Sequence, residues 1–182
     1  MIFPDDTPVL VLFCKRPALG VGKQRIARQL GSEPALAVSE LLLGTALEDL
    51  ADWSGPIVIA PASASDLSWA EQLLPGASAV PQGDGNLGQR INNVDQALRA
   101  AGAQQVIYIG IDSPELDAKA LAAAAAALST HDAVLIPAED GGVTLLACSR
   151  AWPALRTLPW ETDKLGDALE QCCLRIGWTV RK

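Results

Sequence analysis

The chain has 182 residues, of which 49% are hydrophobic and 19% are charged. This composition excludes a disordered protein, and the length suits one domain with a sizeable core, which we expect over residues 1–182. No apolar run reaches the roughly 18 residues of a membrane span. The N-terminal "MIFPDDTPVL" carries acids where a secretion signal is basic, so we expect a cytoplasmic location. The net charge of −7 argues against a general nucleic-acid partner.

Apolar runs alternate with helical patterns along the chain. Continuous runs such as "PVLVLFC" are typical of strands buried on both faces. We predict strands over 8–14, 56–60, 77–81, 105–111, 132–137 and 143–148, with a terminal strand in 177–182. Helices are predicted over 33–52, 65–74, 87–101, the alanine-rich segment after Asp117, and 163–175. Ser32, Ser65 and Asp117 are the expected helix caps.

Strands that alternate with helices predict an α/β fold with three layers, α/β/α. Its sheet is expected to be mostly parallel, with helices on both faces. In such sheets ligands bind beyond the carboxyl ends of the strands, near a switch in strand order. The residues that follow each strand are therefore the candidate site.

The loop after the first strand, "KRPALGVGKQR", belongs to a basic segment without acids, on an otherwise acidic chain. This contrast predicts a small anionic ligand. Glycines let backbone N–H groups approach an anion, and basic side chains neutralise phosphates. The candidate contacts are Lys15, Gly20, Gly22, Lys23 and Arg25. The loop is not a Walker A motif, since Pro17 and Gln24 break that pattern. A solvated basic loop is the alternative.

The loop after the third strand, "QGDGNLGQR", surrounds a helix start with Gly83, Gly85 and Gly88. Arg90 falls in the first turn, where a cation opposes the helix dipole unless an anion or acid compensates it. An ordinary glycine-rich turn is the alternative interpretation.

Asp112 and Asp140 follow the fourth and fifth strands. If these strands are neighbours, their ends lie about 5 Å apart and two carboxylates could share Mg²⁺ or Mn²⁺. The alternatives are an Asp that shapes the Ser-Pro turn and an Asp-Gly turn. The four cysteines and the single histidine form no zinc motif, and mostly buried, reduced thiols are expected.

Four segments, 13–27, 82–91, 109–116 and 137–147, together resemble the nucleotide-diphospho-sugar transferase superfamily with its glycosyltransferase A-type fold. More closely, the chain is similar to the radical-SAM/selenodomain-associated transferase 1 family, which is related to 2-phospho-lactate guanylyltransferase and the molybdenum-cofactor nucleotidyltransferases. Residues 159–169 match a further family segment.

The resemblance implies a nucleotide across the first loop, with Lys15, Lys23 and Arg25 on its phosphates. It makes Asp112 a metal-binding acid and places Asp140 by the acceptor or a second metal position. We count Gln82, Gly83, Gly88 and Arg90 as further nucleotide contacts. Three departures bear on the substrate: Gln24 replaces threonine, Asn86 and Gln89 replace acids, and Val143 replaces an aromatic residue.

We expect a metal-dependent transferase that uses a nucleotide-activated donor, a small-molecule acceptor and Mg²⁺ or Mn²⁺. Asp140 is the candidate base by position. A glycosyltransferase would move a sugar from a nucleotide sugar, and a nucleotidyltransferase would release pyrophosphate from a nucleoside triphosphate. The third hypothesis is a non-catalytic nucleotide-binding protein, which the departures from the family pattern suggest. The base, sugar, acceptor and oligomeric state are left open.

Overall fold

The structure is a computed structural model that describes residue 3 and residues 7–182. Seven strands are present in these ranges: β1 Val9–Cys14, β2 Ile57–Pro61, β3 Ser78–Ala79, β4 Val106–Gly110, β5 Ala133–Pro137, β6 Val143–Cys148 and β7 Val180–Arg181. The helices are α1 Gln24–Leu30, α2 Ser32–Ala51, α3 Leu67–Ala70, α4 Leu87–Ala100, α5 Ala118–Ala127 and α6 Leu165–Arg175, and a 3₁₀ turn spans Ala64–Asp66.

The strands form one sheet in the order β3-β2-β1-β4-β6-β5-β7. Only β6 is antiparallel to its neighbours, so the predicted mostly parallel sheet is confirmed. The chain runs outward from β1 to β3 and then returns to β4 on the other side of β1. The switch in strand order therefore lies between β1 and β4.

Helices cover both faces of the sheet, which confirms the three layers. Val9 and Val11 pack toward the face covered by α4 and α6, whereas Leu10 and Leu12 pack toward α2, α3 and α5. This alternation explains the continuous apolar run of β1, because both faces of the strand are buried. The alanine-rich α5 contributes small side chains such as Ala124 to the second core.

Helix starts follow the prediction only in part. Asp117 caps α5, where its carboxylate accepts the Ala120 N–H at 2.8 Å. Gly31, rather than Ser32, precedes α2, and Ser63, rather than Ser65, caps the 3₁₀ turn. The predicted helix 65–74 is thus a turn followed by the short α3, and the predicted strand 77–81 is reduced to the two residues of β3.

Helix α1 lies where the sequence predicts only a loop. None of its residues is buried, and its large apolar residues, Ile26 and Leu30, are too few to predict a helix from periodicity. Lys23, in the left-handed conformation with φ 46°, precedes its first turn.

The four cysteines are free thiols, and all but the half-buried Cys172 are buried, as predicted. Burial, with a smaller contribution from Asp66, raises the pKa of Cys14 to about 12. In the described ranges, no helix combines the length and the hydropathy of a membrane span.

Candidate functional site

A cleft of about 910 Å³ opens at the carboxyl ends of β1 and β4, at the switch in strand order. The loop after β1 forms one side of it, and the loop before α4 lies beside that. The residues after β4, the start of β6 and the segment before α6 complete the lining. The cleft therefore lies where the fold class predicts a ligand site.

The charge of the lining is predominantly positive. Four basic side chains line the cleft, Lys15, Arg16, Lys23 and Arg90, against two acidic ones, Asp112 and Glu161. A concave surface with this excess of cations attracts small anions and raises their local concentration.

Lys23 and Asp112 form an ion pair inside the cleft. The Lys23 Nζ lies 2.6 Å from Asp112 Oδ1, with the lysine side chain 19% exposed and the aspartate 71% exposed. Gln24 braces the preceding loop, since its Nε2 donates to the Gly20 carbonyl at 2.8 Å. The sequence predicts a role for both charged residues but not their direct contact.

Arg90 is held in place by acceptors from the loop before α4. Its Nε donates to the Gly85 carbonyl at 2.9 Å, and its NH1 lies 3.4 Å from Gln82 Oε1. Gln82 is itself buried, with its Nε2 donating to the Ala60 carbonyl at 2.7 Å. Gln82 thus positions Arg90. The carbonyl oxygens that bind the guanidinium offset its unfavourable interaction with the helix dipole in the first turn of α4.

Six of the predicted site residues line the cleft, namely Lys15, Gly22, Lys23, Gln82, Arg90 and Asp112. Gly20, Arg25, Gly83, Gly88 and Asp140 are not among its lining residues. Gly20 and Gly83 have positive φ in their turns, and Arg25 is exposed on α1. Gly88 has a packing role, because a Cβ there would overlap the Leu155 carbonyl oxygen and Trp160 Nε1.

The strands before Asp112 and Asp140 are not neighbours, so the condition under which the two carboxylates were expected to share a metal is not met. Strand β6 lies between β4 and β5, so their ends are two strand spacings apart, or about 10 Å. Asp140 is exposed and accepts the Gly142 N–H at 3.0 Å, which closes an Asp-Gly turn. The structure therefore brings Asp112, but not Asp140, to the cationic loop.

One part of the cleft lining, which we call the wall, is not predicted from the sequence. It consists of Leu158, Pro159, Trp160 and Glu161. Glu161 has φ 64°, in the left-handed region that non-glycine residues rarely occupy. Trp160 is anchored by its Nε1, which donates to the Leu155 carbonyl at 2.8 Å.

The wall belongs to a segment, residues 150–161, that helix α4 holds by its backbone. Asn92 accepts the Leu155 N–H at 2.8 Å and donates to the Pro153 carbonyl at 2.9 Å. Further contacts join Asn86 to the Arg156 carbonyl, Asp95 to the Trp152 N–H, and Arg99 to the Arg150 carbonyl. Polar side chains of α4 therefore replace the regular hydrogen bonding that this segment lacks.

Asp95 is the centre of this arrangement and is only 3% exposed. It also accepts a 2.7 Å hydrogen bond from the Tyr108 hydroxyl and pairs with Arg99 at 3.3 Å. Burial raises the pKa of Tyr108 well above its usual value, so its hydroxyl stays protonated and donates. In the sequence, this role of Asp95 could have been suspected because an acid occupies a position on the apolar face of α4.

Solved structures with the same fold have low sequence identity to this chain. A protein from Desulfovibrio desulfuricans G20, provisionally described as a nucleotide-diphospho-sugar transferase, matches with a TM-score of 0.87 at 21% identity, over 97% of this chain and 79% of that one. A nucleotidyl transferase from Methanothermobacter matches with a TM-score of 0.61 at 16% identity, over 97% and 86%. CMP:2-keto-3-deoxy-manno-octonic acid synthetase in complex with CTP matches with a TM-score of 0.56 at 11% identity, over 96% and 88%.

These likenesses show a fold of the nucleotide-diphospho-sugar transferase type. No curated protein matches the sequence. A family profile described as "Uncharacterized protein conserved in bacteria (DUF2064)" matches residues 43–162, which is more than half of the chain. The chain belongs to this DUF2064 family.

Proposed function

We propose that the chain is a metal-dependent transferase that takes its transferred group from a nucleotide-activated donor. The observation that carries this proposal is the cleft at the switch between β1 and β4, which four basic side chains line and in which Lys23 contacts the carboxylate of Asp112. Its volume of about 910 Å³ accommodates a ligand the size of a nucleotide sugar. The resemblance to the radical-SAM/selenodomain-associated transferase 1 family supports the same chemistry.

Lys15, Lys23 and Arg90 are proposed to bind the donor phosphates. Each contributes positive charge to the lining, and charge at these positions stabilises the negative charge that develops on the leaving phosphate. The Gln82 contact fixes Arg90 before the ligand arrives. Arg25 has no part in this proposal because it lies outside the lining.

The residues present fit Mg²⁺ or Mn²⁺ bound together with a phosphate. Asp112 supplies one exposed carboxylate, and no cluster of three or more ligating side chains occurs in the described part of the chain. Mg²⁺ is commonly held by one or two carboxylates, with water and substrate phosphates as its other ligands. When bound, the ion would supply Lewis-acid stabilisation of the leaving diphosphate. We assign the protein's contact to Asp112 alone.

Transfer of a sugar from a nucleotide sugar is our leading assignment, and the Desulfovibrio protein of the same fold supports it. Transfer of a nucleotidyl group with release of pyrophosphate is the second candidate. The abundance of cations favours this alternative, because a triphosphate carries more negative charge than the diphosphate of a nucleotide sugar. The nucleotidyl transferase and the CTP-bound synthetase among the structural neighbours also support it.

Product analysis separates these reactions. The protein is incubated with Mn²⁺ and a panel of nucleoside triphosphates and nucleotide sugars, with mixed small-molecule acceptors. Release of a nucleoside diphosphate from a sugar donor indicates glycosyl transfer, and release of pyrophosphate indicates nucleotidyl transfer. Calorimetry that detects no nucleotide binding in the presence of Mn²⁺ would refute both. Tight binding without any product would support a non-catalytic nucleotide-binding protein instead.

A further inference from the structure

We infer that Glu161 selects the acceptor, and that the acceptor presents a hydrogen-bond donor, a hydroxyl or an ammonium group, rather than an acidic group. The inference rests on the proposed function and names the acceptor chemistry of the same cleft. It is carried by the backbone of Glu161, by the contacts that hold it, and by the contrast between its charge and the remaining lining.

The backbone of Glu161 is strained. A left-handed conformation is unfavourable for a residue with a Cβ, and such conformations persist only when the surroundings impose them. Strained residues of this kind concentrate at ligand sites. Glu161 lines the cleft, so its strain coincides with a functional surface.

Contacts on both sides of Glu161 impose this conformation. On the N-terminal side, Trp160 donates its Nε1 proton to the Leu155 carbonyl, and Leu155 is bound in turn by Asn92 of α4. On the C-terminal side, the Thr162 hydroxyl donates to the Pro159 carbonyl at 2.7 Å. The carboxylate is therefore attached to a fixed piece of backbone.

The surroundings of Glu161 differ from the phosphate side of the cleft. Val143, Leu158 and Trp160 give this part of the lining an apolar and aromatic character. Within residues 3 and 7–182, no basic side chain pairs with the Glu161 carboxylate. An ionised carboxylate only accepts hydrogen bonds, so it favours hydroxyl and ammonium groups and repels anions. An indole beside it also suits the apolar face of a sugar or an organic cation.

The test uses three probes of similar size, benzylamine, benzyl alcohol and benzoate, which share a phenyl ring and differ in the head group. Mg²⁺, which is diamagnetic, and inorganic pyrophosphate first saturate the cationic side, so that benzoate cannot bind there. Ligand-observed NMR titration then measures the three affinities for the wild type, Glu161→Gln and the matched control Glu139→Gln. Glu139 is an exposed acid outside the cleft lining, so its variant removes the same charge at a distance.

We expect the wild type to bind benzylamine or benzyl alcohol at least tenfold more tightly than benzoate. Glu161→Gln should reduce this preference to about threefold or less, and Glu139→Gln should leave it unchanged. A preference for the amine indicates a cationic acceptor, and a preference for the alcohol indicates a hydroxylated one. Equal binding of benzoate in the wild type, or an unchanged preference in Glu161→Gln, would overturn the inference alone. Failure of pyrophosphate and Mg²⁺ to bind the wild type would instead count against the proposed donor site.

Discussion

Replacing Lys23 by glutamine should change metal binding and nucleotide binding in opposite directions. In the free protein the Lys23 ammonium occupies Asp112, the carboxylate that we assign to the metal, at 2.6 Å. A metal ion that arrives without a nucleotide must therefore displace the ammonium. A metal ion that arrives with a nucleotide brings phosphates that can accept the same ammonium.

The size of the effect follows from the exposure of the pair. Because Asp112 is 71% exposed, the pair resembles a surface ion pair, which contributes about 0.2–1 kcal/mol. At about 1 kcal/mol, competition from Lys23 weakens the binding of free Mn²⁺ about fivefold. Removal of the lysine charge also removes its repulsion of the divalent ion. Lys23→Gln should therefore bind free Mn²⁺ about 5–10-fold more tightly than the wild type.

The same variant should bind a nucleotide with Mn²⁺ roughly 10- to 100-fold more weakly, since a charge-assisted phosphate contact of about 1.5–3 kcal/mol is lost. Electron paramagnetic resonance of free Mn²⁺ measures the first quantity, and calorimetry measures the second. Lys15→Gln is the matched control, because Lys15 lines the cleft and forms no ion pair with the described residues. It should weaken the nucleotide without improving Mn²⁺ binding.

Two results would refute this reasoning. One is an unchanged Mn²⁺ affinity in Lys23→Gln while Asp112→Asn abolishes Mn²⁺ binding, which would show that the lysine does not compete for the ion. The other is Mn²⁺ binding that survives in Asp112→Asn, which would place the metal elsewhere.

Glu161→Gly should raise the free energy of unfolding by about 0.5–1 kcal/mol, because glycine tolerates φ 64°, whereas the control Glu139→Gly should lower it. Denaturant titration measures both changes. A destabilised Glu161→Gly would contradict the assigned strain. Gly88→Ala should cost about 1–3 kcal/mol and shift the thermal midpoint downward, because its Cβ would overlap backbone of residues 150–161. Asp132 accepts bonds from the Thr179 N–H and hydroxyl, and the backbone bond is the main cause of its lowered pKa. Because the pKa of Asp132 is lower in the folded state, the ionised carboxylate stabilises the fold above the unfolded pKa of about 3.9. This stabilisation is lost as the pH falls through the folded pKa. Asp132→Ala should therefore lower the free energy of unfolding by about 1–2 kcal/mol at pH 7, as measured by denaturant titration. The difference from the wild type should shrink below about pH 4. A difference that does not depend on pH would contradict this account.

The buried strands could be predicted from the sequence because burial on both faces leaves continuous apolar runs. The position of the cleft could also be anticipated, since parallel strands present their following loops at one edge of the sheet. The loop cations Lys15 and Lys23 and the acid Asp112 were found in this way. Their side chains share the cleft because β1 and β4 are neighbours in parallel register.

Strand order could not be read from the sequence, because apolar runs do not encode their neighbours. The antiparallel β6 lies between β4 and β5, so the condition of neighbouring strands, on which the shared metal site of Asp112 and Asp140 depended, is not met. The wall at residues 158–161 was missed for a different reason. Residues 150–161 have neither helical nor strand periodicity. Their backbone is fixed instead by side chains of α4, which are distant in the sequence.

The way in which α4 grips residues 150–161 has a consequence for diversification of the site. Asn86, Asn92, Asp95 and Arg99 all bind main-chain atoms of the segment, and none of these contacts depends on which side chain the segment carries. The segment thus resembles an antibody loop on a constant framework, in which the outward residues are free to change. If Glu161 selects the acceptor as inferred above, a library randomised at this exposed position could therefore yield variants with new acceptor preferences on an unaltered scaffold.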